Sequence, residues 1–140
     1  MIINSKIFLD TSYVIALLSP QDNYHQKALI IAEILEKKSI TLITTQAILL
    51  EIGNAFSKLK YRQVAISLLK SLEIDPKVEI INLSEELYQE ALKLYCQRQD
   101  KEWGLVDCVS FIVMNKYQIT EALTTDIHFQ QAGFRALLKE

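Results

Sequence analysis

Apolar and polar positions fall into blocks along this chain. The first, Lys6-Ile7-Phe8-Leu9, ends abruptly on Asp10-Thr11-Ser12, a carboxylate followed by two hydroxyls. Apolar residues without polar alternation read as a strand buried on both faces, the pattern of a central parallel strand. Asp-Thr-Ser is the chemistry of a helix N-cap. Tyr13 to Leu18 then reads as a short buried helix stopped by Ser19-Pro20, since Pro disfavours the helical conformation in the residue before it. Asp22 is a candidate cap for a second helix over Tyr24 to Lys37, with Tyr24, Ala28, Ile31, Ala32 and Leu35 on one side.

A second strand is expected at Ile40 to Thr44. Thr44 or Thr45 caps a third helix, Gln46 to Leu59, whose core stripe is Ile48, Ile52, Ala55, Phe56 and Leu59. Glu51 lies beside that stripe, four residues after Ala47 and three before Asn54. A fourth helix is expected from Tyr61-Arg62 to about Leu72, with Val64, Ala65, Leu68, Leu69 and Leu72 as its apolar face, ended by Asp75-Pro76. Val78 to Leu83 is a third strand, and Ser84 caps a fifth helix from Glu85 to Arg98. After the polar stretch Gln99 to Glu102 and Trp103-Gly104, Leu105 to Tyr117 is apolar almost all round and is expected to be buried. Asp107 sits in its first turn. Ala122-Leu123-Thr124 is a fourth strand, Thr125-Asp126 opens a brief turn of helix to Ala132, and Gly133 to Leu138 supplies an edge strand or a packing tail. Strands alternating with helices predict a parallel α/β sheet of four to five strands with helices on both faces. The pattern does not give the strand order.

Composition narrows the class. At 140 residues, half of them apolar, the chain is expected to form a single domain over 1–140 with a substantial core. Cys96 and Cys108 lie in apolar helical stretches without metal-ligand spacing, so both are expected reduced and buried. The N-terminus enters its first strand too soon for a signal peptide, and no apolar run approaches the ~20 residues of a membrane span. A cytoplasmic protein with no membrane association is therefore expected. Fifteen basic against seventeen acidic residues give a charge of −2, so no global basic field announces a nucleic acid. An acidic chain can still meet phosphates through a bound cation.

Four acids stand out. Asp10 and Asp126 follow apolar strands and precede helices, so each reads equally as a cap. Glu51 reads as a solvent-facing residue at the edge of an amphipathic helix, or as a member of a site that the helix turns inward. Asp107 is the one carboxylate in a helix that otherwise reads as core. Such a group needs a cation, a donor cluster or protonation. Taken together, Asp10, Asp107 and Asp126 fall at the carboxyl-end rim of a parallel sheet, where α/β folds bind ligands. Carboxylates gathered in one crevice raise each other's pKa, and a divalent cation resolves that conflict; oxygen donors suit Mg²⁺ or Mn²⁺. That chemistry suits phosphodiester hydrolysis.

Ile7-Phe8-Leu9-Asp10-Thr11-Ser12, Glu51 with Asn54, Leu105-Val106-Asp107-Cys108-Val109-Ser110-Phe111, and Leu123-Thr124-Thr125-Asp126-Ile127-His128-Phe129 with Gly133-Phe134 together resemble a PIN domain, most like the small VapC-type toxins. The resemblance covers essentially the whole chain and rests on four acids in order with these contexts. It implies a three-layer α/β/α sandwich and a Mg²⁺- or Mn²⁺-dependent endoribonuclease. It also implies a homodimer with RNA as substrate and an antitoxin encoded alongside as partner. Asp10, Asp107 and Asp126 are then metal-binding acids, and Glu51 is the fourth acid that orients water. Thr11, Asn54 and Thr125 match supporting polar positions. His128 fits the Asp-x-His-Phe pattern, either as an RNA contact or as a structural neighbour of Phe129.

Other classes fit less well. Asp-Thr-Ser after the first strand lacks the Gly-rich turn of a dinucleotide-binding fold, and Ser12 stands where a haloacid-dehalogenase-type phosphotransferase generally carries a second Asp. The rival from a different class is a non-catalytic PIN-like RNA-binding or protein-interaction module in which the acids are caps and structural charges.

Overall fold

Ile7, Phe8 and Leu9 of β1 (Lys6–Leu9) are almost completely buried, as a strand covered on both faces requires. In the computed structural model, which describes residues 2–140, β1 pairs in parallel with β2 (Thr41–Thr45) on one side and β4 (Glu121–Leu123) on the other. β3 (Val78–Ile81) extends the sheet beyond β2 and β5 (Arg135–Ala136) beyond β4, giving the parallel order β3-β2-β1-β4-β5. α1 (Thr11–Leu18) and α2 (His25–Lys37) join β1 to β2, and α3 (Gln46–Ala55) and α4 (Leu59–Ile74) join β2 to β3. α5 (Glu85–Gln97) and α6 (Leu105–Lys116) carry the chain back across the sheet to β4, and α7 (Ile127–Gln131) leads to β5.

Right-handed crossovers put α1 to α4 on one face and α5 to α7 on the other, because the chain first steps one way from β1 and then returns past it. The packing agrees. α1 touches α2 and α3, α3 touches α4, and α5 and α6 form the most extensive helix pair. The result is a three-layer α/β/α sandwich. The strand order reverses between β1 and β4, so the crevice beyond their carboxyl ends is the topological switch point of the sheet.

Aromatic packing fixes that end of the molecule. Phe111 of α6 meets Trp103 and Phe129 edge-on with ring centroids 5.0 Å apart, and Phe129 lies 6.2 Å from Phe8 of β1. Each buried aromatic ring contributes about 1.5–3 kcal/mol through burial alone. α6, α7 and β1 are thereby tied together directly beneath Asp107 and His128.

Several elements differ from the sequence reading. α3 stops at Ala55, and Leu59 is not part of its core stripe: it opens α4 and is 90 % exposed. At the break the Arg62 guanidinium takes the Ser57 carbonyl through Nε at 3.1 Å and Nη2 at 2.8 Å, satisfying an acceptor that a continuous helix would have used. α4 runs on to Ile74 and buries only Ala65 and Leu72 fully, leaving Val64 in solvent. Asp22 does not cap α2. It holds the Tyr24 N–H in a turn, and Tyr24 occupies the cap position without a side-chain bond. Cys96 is exposed and Cys108 buried, both as free thiols.

The largest difference is in β4, which begins at Glu121 rather than Ala122 and buries that carboxylate completely. Glu121 accepts the Ile3 and Asn4 backbone N–H groups, at 3.0 and 2.8 Å, and Arg135 Nη1 at 2.6 Å. These donors repay the desolvation of the charge and tie the N-terminal segment, β4 and β5 together at the end of the sheet opposite the switch point.

Candidate active site

The switch-point crevice is a cleft of about 430 Å³ lined by Asp10, Thr11 and Ser12, Glu51, Asn54 and Ala55 of α3, and Asp107 and Asp126. The four acids named from the sequence are thus brought together from four segments. Asp10 follows β1 directly, with its own N–H on the Leu123 carbonyl of β4 at 3.2 Å. Asp126 follows β4 and Asp107 lies in the first turn of α6. Glu51 is turned toward the cleft because α3 begins at once after β2 and crosses the sheet edge, its N-terminus capped by Thr45 Oγ1 accepting the Ile48 N–H.

Asp10 is 7 % exposed, and every hydrogen bond it accepts among the described residues ends on Oδ2. Thr124 Oγ1 donates at 2.7 Å and Ser12 Oγ at 2.8 Å. Ser12 Oγ accepts the Thr125 N–H at 2.9 Å, and Thr124 Oγ1 accepts the Asp126 N–H at 3.0 Å. The two hydroxyls, 3.1 Å apart, converge on Asp10 from the ends of β1 and β4, which holds those ends in register and orients the carboxylate. Glu51 Oε1 accepts a 2.8 Å bond from Thr11 Oγ1.

Asp107 Oδ2 accepts the Gly104 N–H at 3.0 Å and faces His128 Nδ1 at 2.9 Å. This is the donor cluster that the sequence required of Asp107. Its first helical turn is half-buried, less enclosed than the apolar run suggested. Asp126 Oδ1 accepts the His128 N–H at 2.9 Å, capping α7, and lies 3.4 Å from His128 Nδ1. Facing the Asp107 carboxylate, the tautomer with its proton on Nδ1 is the one that donates there. Both Asp10 and Asp126 are therefore helix caps as well as members of the cleft.

Burial is the main cause that pushes the Asp10 carboxyl up from an ordinary 3.8 to about 6; the Thr124 and Ser12 bonds oppose it and the Asp107 charge adds to it. Glu51 is raised as well, first by burial and then by Asp107 and Asp126, against the Thr11 bond. Like charges converge here, and among the described residues no Lys or Arg lines the cleft. One carboxylate oxygen each from Asp107 and Asp126 and a ring nitrogen of His128 lie within 4.8 Å of one another. Hard oxygen donors and mutual repulsion are what a divalent cation relieves, so the residues present fit one.

The supporting positions are placed unevenly. Asn54 lines the cleft but is exposed, and Thr125 joins the network through its backbone N–H. Ser12 and Thr124 were not singled out for the site from the sequence, yet they hold Asp10. Thr124 could have been found from the Thr-Thr-Asp run only with the β1–β4 register in hand.

Among known proteins, a PIN domain profile matches residues 7–135. The 23S rRNA-specific endonuclease VapC20 of Mycobacterium tuberculosis is 26 % identical over 128 residues, covering 91 % of this chain and 95 % of the relative. The crystal structure of that protein, described as a sarcin-ricin loop cleaving toxin, superposes with a TM-score of 0.81 at 25 % identity, over 91 % of this chain and 95 % of that one. FitAcB from Neisseria gonorrhoeae, at 23 % identity over 93 % of this chain and 94 % of its own, shares the fold with a TM-score of 0.60. With a family profile that runs from β1 to β5 and takes in all four acids, the chain belongs to the PIN domain family.

Proposed function

We propose that this protein is a divalent-metal-dependent endoribonuclease that hydrolyses RNA phosphodiester bonds, and that it acts as the toxin of a toxin-antitoxin pair. The observation that carries the reading is the convergence of Asp10, Glu51, Asp107 and Asp126 on one cleft at the switch point. The relative of 26 % identity is a 23S rRNA-specific endonuclease, which makes ribosomal RNA the first substrate class to try.

Mg²⁺ or Mn²⁺ would be held by Asp10, Asp107 and Asp126, where it would supply positive charge to the phosphate and a more acidic water. Glu51, steadied by Thr11, would accept a proton from the attacking water, a role supported by its raised pKa, which brings it closer to the working pH of a general base. Ser12 and Thr124 keep Asp10 Oδ2 occupied, so that Oδ1 is the atom left for a ligand in the cleft. His128, with its ring on Asp107 and its backbone N–H on Asp126, holds the two acids at a fixed spacing. A cytoplasmic location fits two free thiols, and no helix among the described residues is long and apolar enough to cross a membrane.

Incubation of mixed RNA and of ribosomal RNA with the protein in Mg²⁺, Mn²⁺ or EDTA tests the reading. Cleavage in metal that is lost in EDTA and in Asp10→Asn and Asp107→Asn supports it. RNA binding without cleavage in either ion would favour the non-catalytic module instead. The partner proposals, a homodimer and an antitoxin, are supported by an apolar groove of about 390 Å³ between Leu49, Leu50 and Leu83, in which Leu50 is 66 % exposed. Leu50→Ser is expected to weaken self-association in sedimentation, or capture of a co-expressed antitoxin, without changing cleavage.

A further inference from the structure

We infer that the corner between α3 and α4, carrying Lys58, Lys60, Tyr61 and Arg62, is the docking surface for the single-stranded RNA flanking the scissile bond; this rests on the nuclease reading above. Charge is distributed unevenly along the chain. Residues 52–72 contain Lys58, Lys60, Arg62 and Lys70 and no acid, while the remainder carries eleven cations against seventeen acids, a charge of −6. Among the described residues no carboxylate pairs with Lys58, Lys60 or Arg62, whereas Lys116, Arg98 and Arg135 each hold one.

The position of these cations matters more than their number. Asn54 and Ala55, the last turn of α3, line the catalytic cleft, and Lys58 follows Ala55 by three residues. Three residues of chain span at most about 11 Å, close to one Debye length at physiological salt. A cleft of four carboxylates repels a polyanion, and a bound cation neutralises only the phosphate it touches. The neighbouring phosphates need other cations within screening distance, and this corner provides them beside the cleft.

The same corner offers a base-stacking element. Tyr61 is 43 % exposed, held edge-on by the buried Phe56 with centroids 6.2 Å apart, and carries the Lys60 ammonium 4.9 Å from its ring centre. An anchored, half-exposed aromatic between cations is the combination by which proteins hold single strands without reading sequence. Arg62 serves mainly to close the turn through the Ser57 carbonyl, which presents Lys58 and Lys60 on a fixed backbone.

The test compares wild type with Lys58→Gln/Lys60→Gln, with Tyr61→Leu, and with Lys37→Gln/Lys38→Gln, an exposed pair at the opposite end of the sheet. The first readout is anisotropy of a fluorescent single-stranded RNA in EDTA over a KCl series; the second is KM and kcat for the unlabelled RNA in Mn²⁺. The Lys58/Lys60 variant is expected to lower the salt slope by about 1.4 and to raise KM about tenfold with kcat unchanged. Tyr61→Leu is expected to raise Kd at least about fivefold with the slope intact. The control pair is expected to do neither, and circular dichroism is expected to show all variants folded.

A Lys58/Lys60 variant with wild-type slope and KM overturns the inference. So does an unchanged slope accompanied by altered sedimentation, which would make the corner a protein contact. The anisotropy arm needs no catalysis, so a wild type that cuts no RNA refutes the nuclease reading and leaves this surface judged on its own slope.

Discussion

Asp10 is both a helix cap and a buried acid, and the second role costs stability. Its carboxyl is raised to about 6 from 3.8, mainly by burial, so the folded state holds a proton that the unfolded chain has already lost between those values. Stability is therefore fully present below about pH 3.8 and falls as pH rises to about 6; above that the ionised group costs on the order of 3 kcal/mol. Thermal unfolding in EDTA is expected to show this decline, and Asp10→Asn is expected to flatten it and raise the melting temperature at pH 8 while abolishing cleavage. A steeper decline in the variant would show that another group controls the profile. Ser12→Ala removes a donor that stabilises the ionised form, so the acid limb of the pH–rate profile is expected to move to higher pH with the fold intact.

At the scale of elements, the lasting contrast is between what local pattern can and cannot reveal. Ile7 to Leu9, the Thr45 and Ser84 caps and the apolar face of α6 were legible, because burial and capping depend on neighbours a few residues away. Leu59 was misplaced because a 3.6-residue period does not show that Arg62 will fold back onto Ser57. Glu121 was missed because nothing beside it in sequence explains a buried charge: its partners are Ile3, Asn4 and Arg135. Glu121→Ala leaves two backbone N–H groups and a guanidinium without that acceptor, and is expected to cost about 3–5 kcal/mol in urea unfolding. Thr45→Ala, which loses a cap bond to Ile48 N–H, is expected to cost about 0.5–2 kcal/mol. If the Glu121 variant unfolded no more easily than the Thr45 variant, the buried ion pair would be a passenger.

For the whole molecule, the four acids could be proposed from the sequence but their assembly could not, since it depends on the strand order. That order places the ends of β1 and β4 side by side and lets α3 and α6 approach across them. A cation bound by this assembly stabilises only the folded state. At a hundred times its Kd, Mn²⁺ or Mg²⁺ contributes about 2.7 kcal/mol, and the melting temperature is expected to rise by about 5–10 °C. Asp107→Asn is expected to lose most of that shift; a full shift in the variant would place the ion elsewhere.

The pairing of β1 with β4 also sets a timetable. Its partners, Phe8 with Ala122 and Leu9 with Leu123, are more than a hundred positions apart. A nascent chain exposes Asp10 and Glu51 long before Asp107 and Asp126 have been translated, and until segment 121–126 has left the ribosome there is no β4 for Asp10 to dock beside. The cleft therefore assembles late, after most of the chain has been made, and its acids stay apart until β4 pairs with β1.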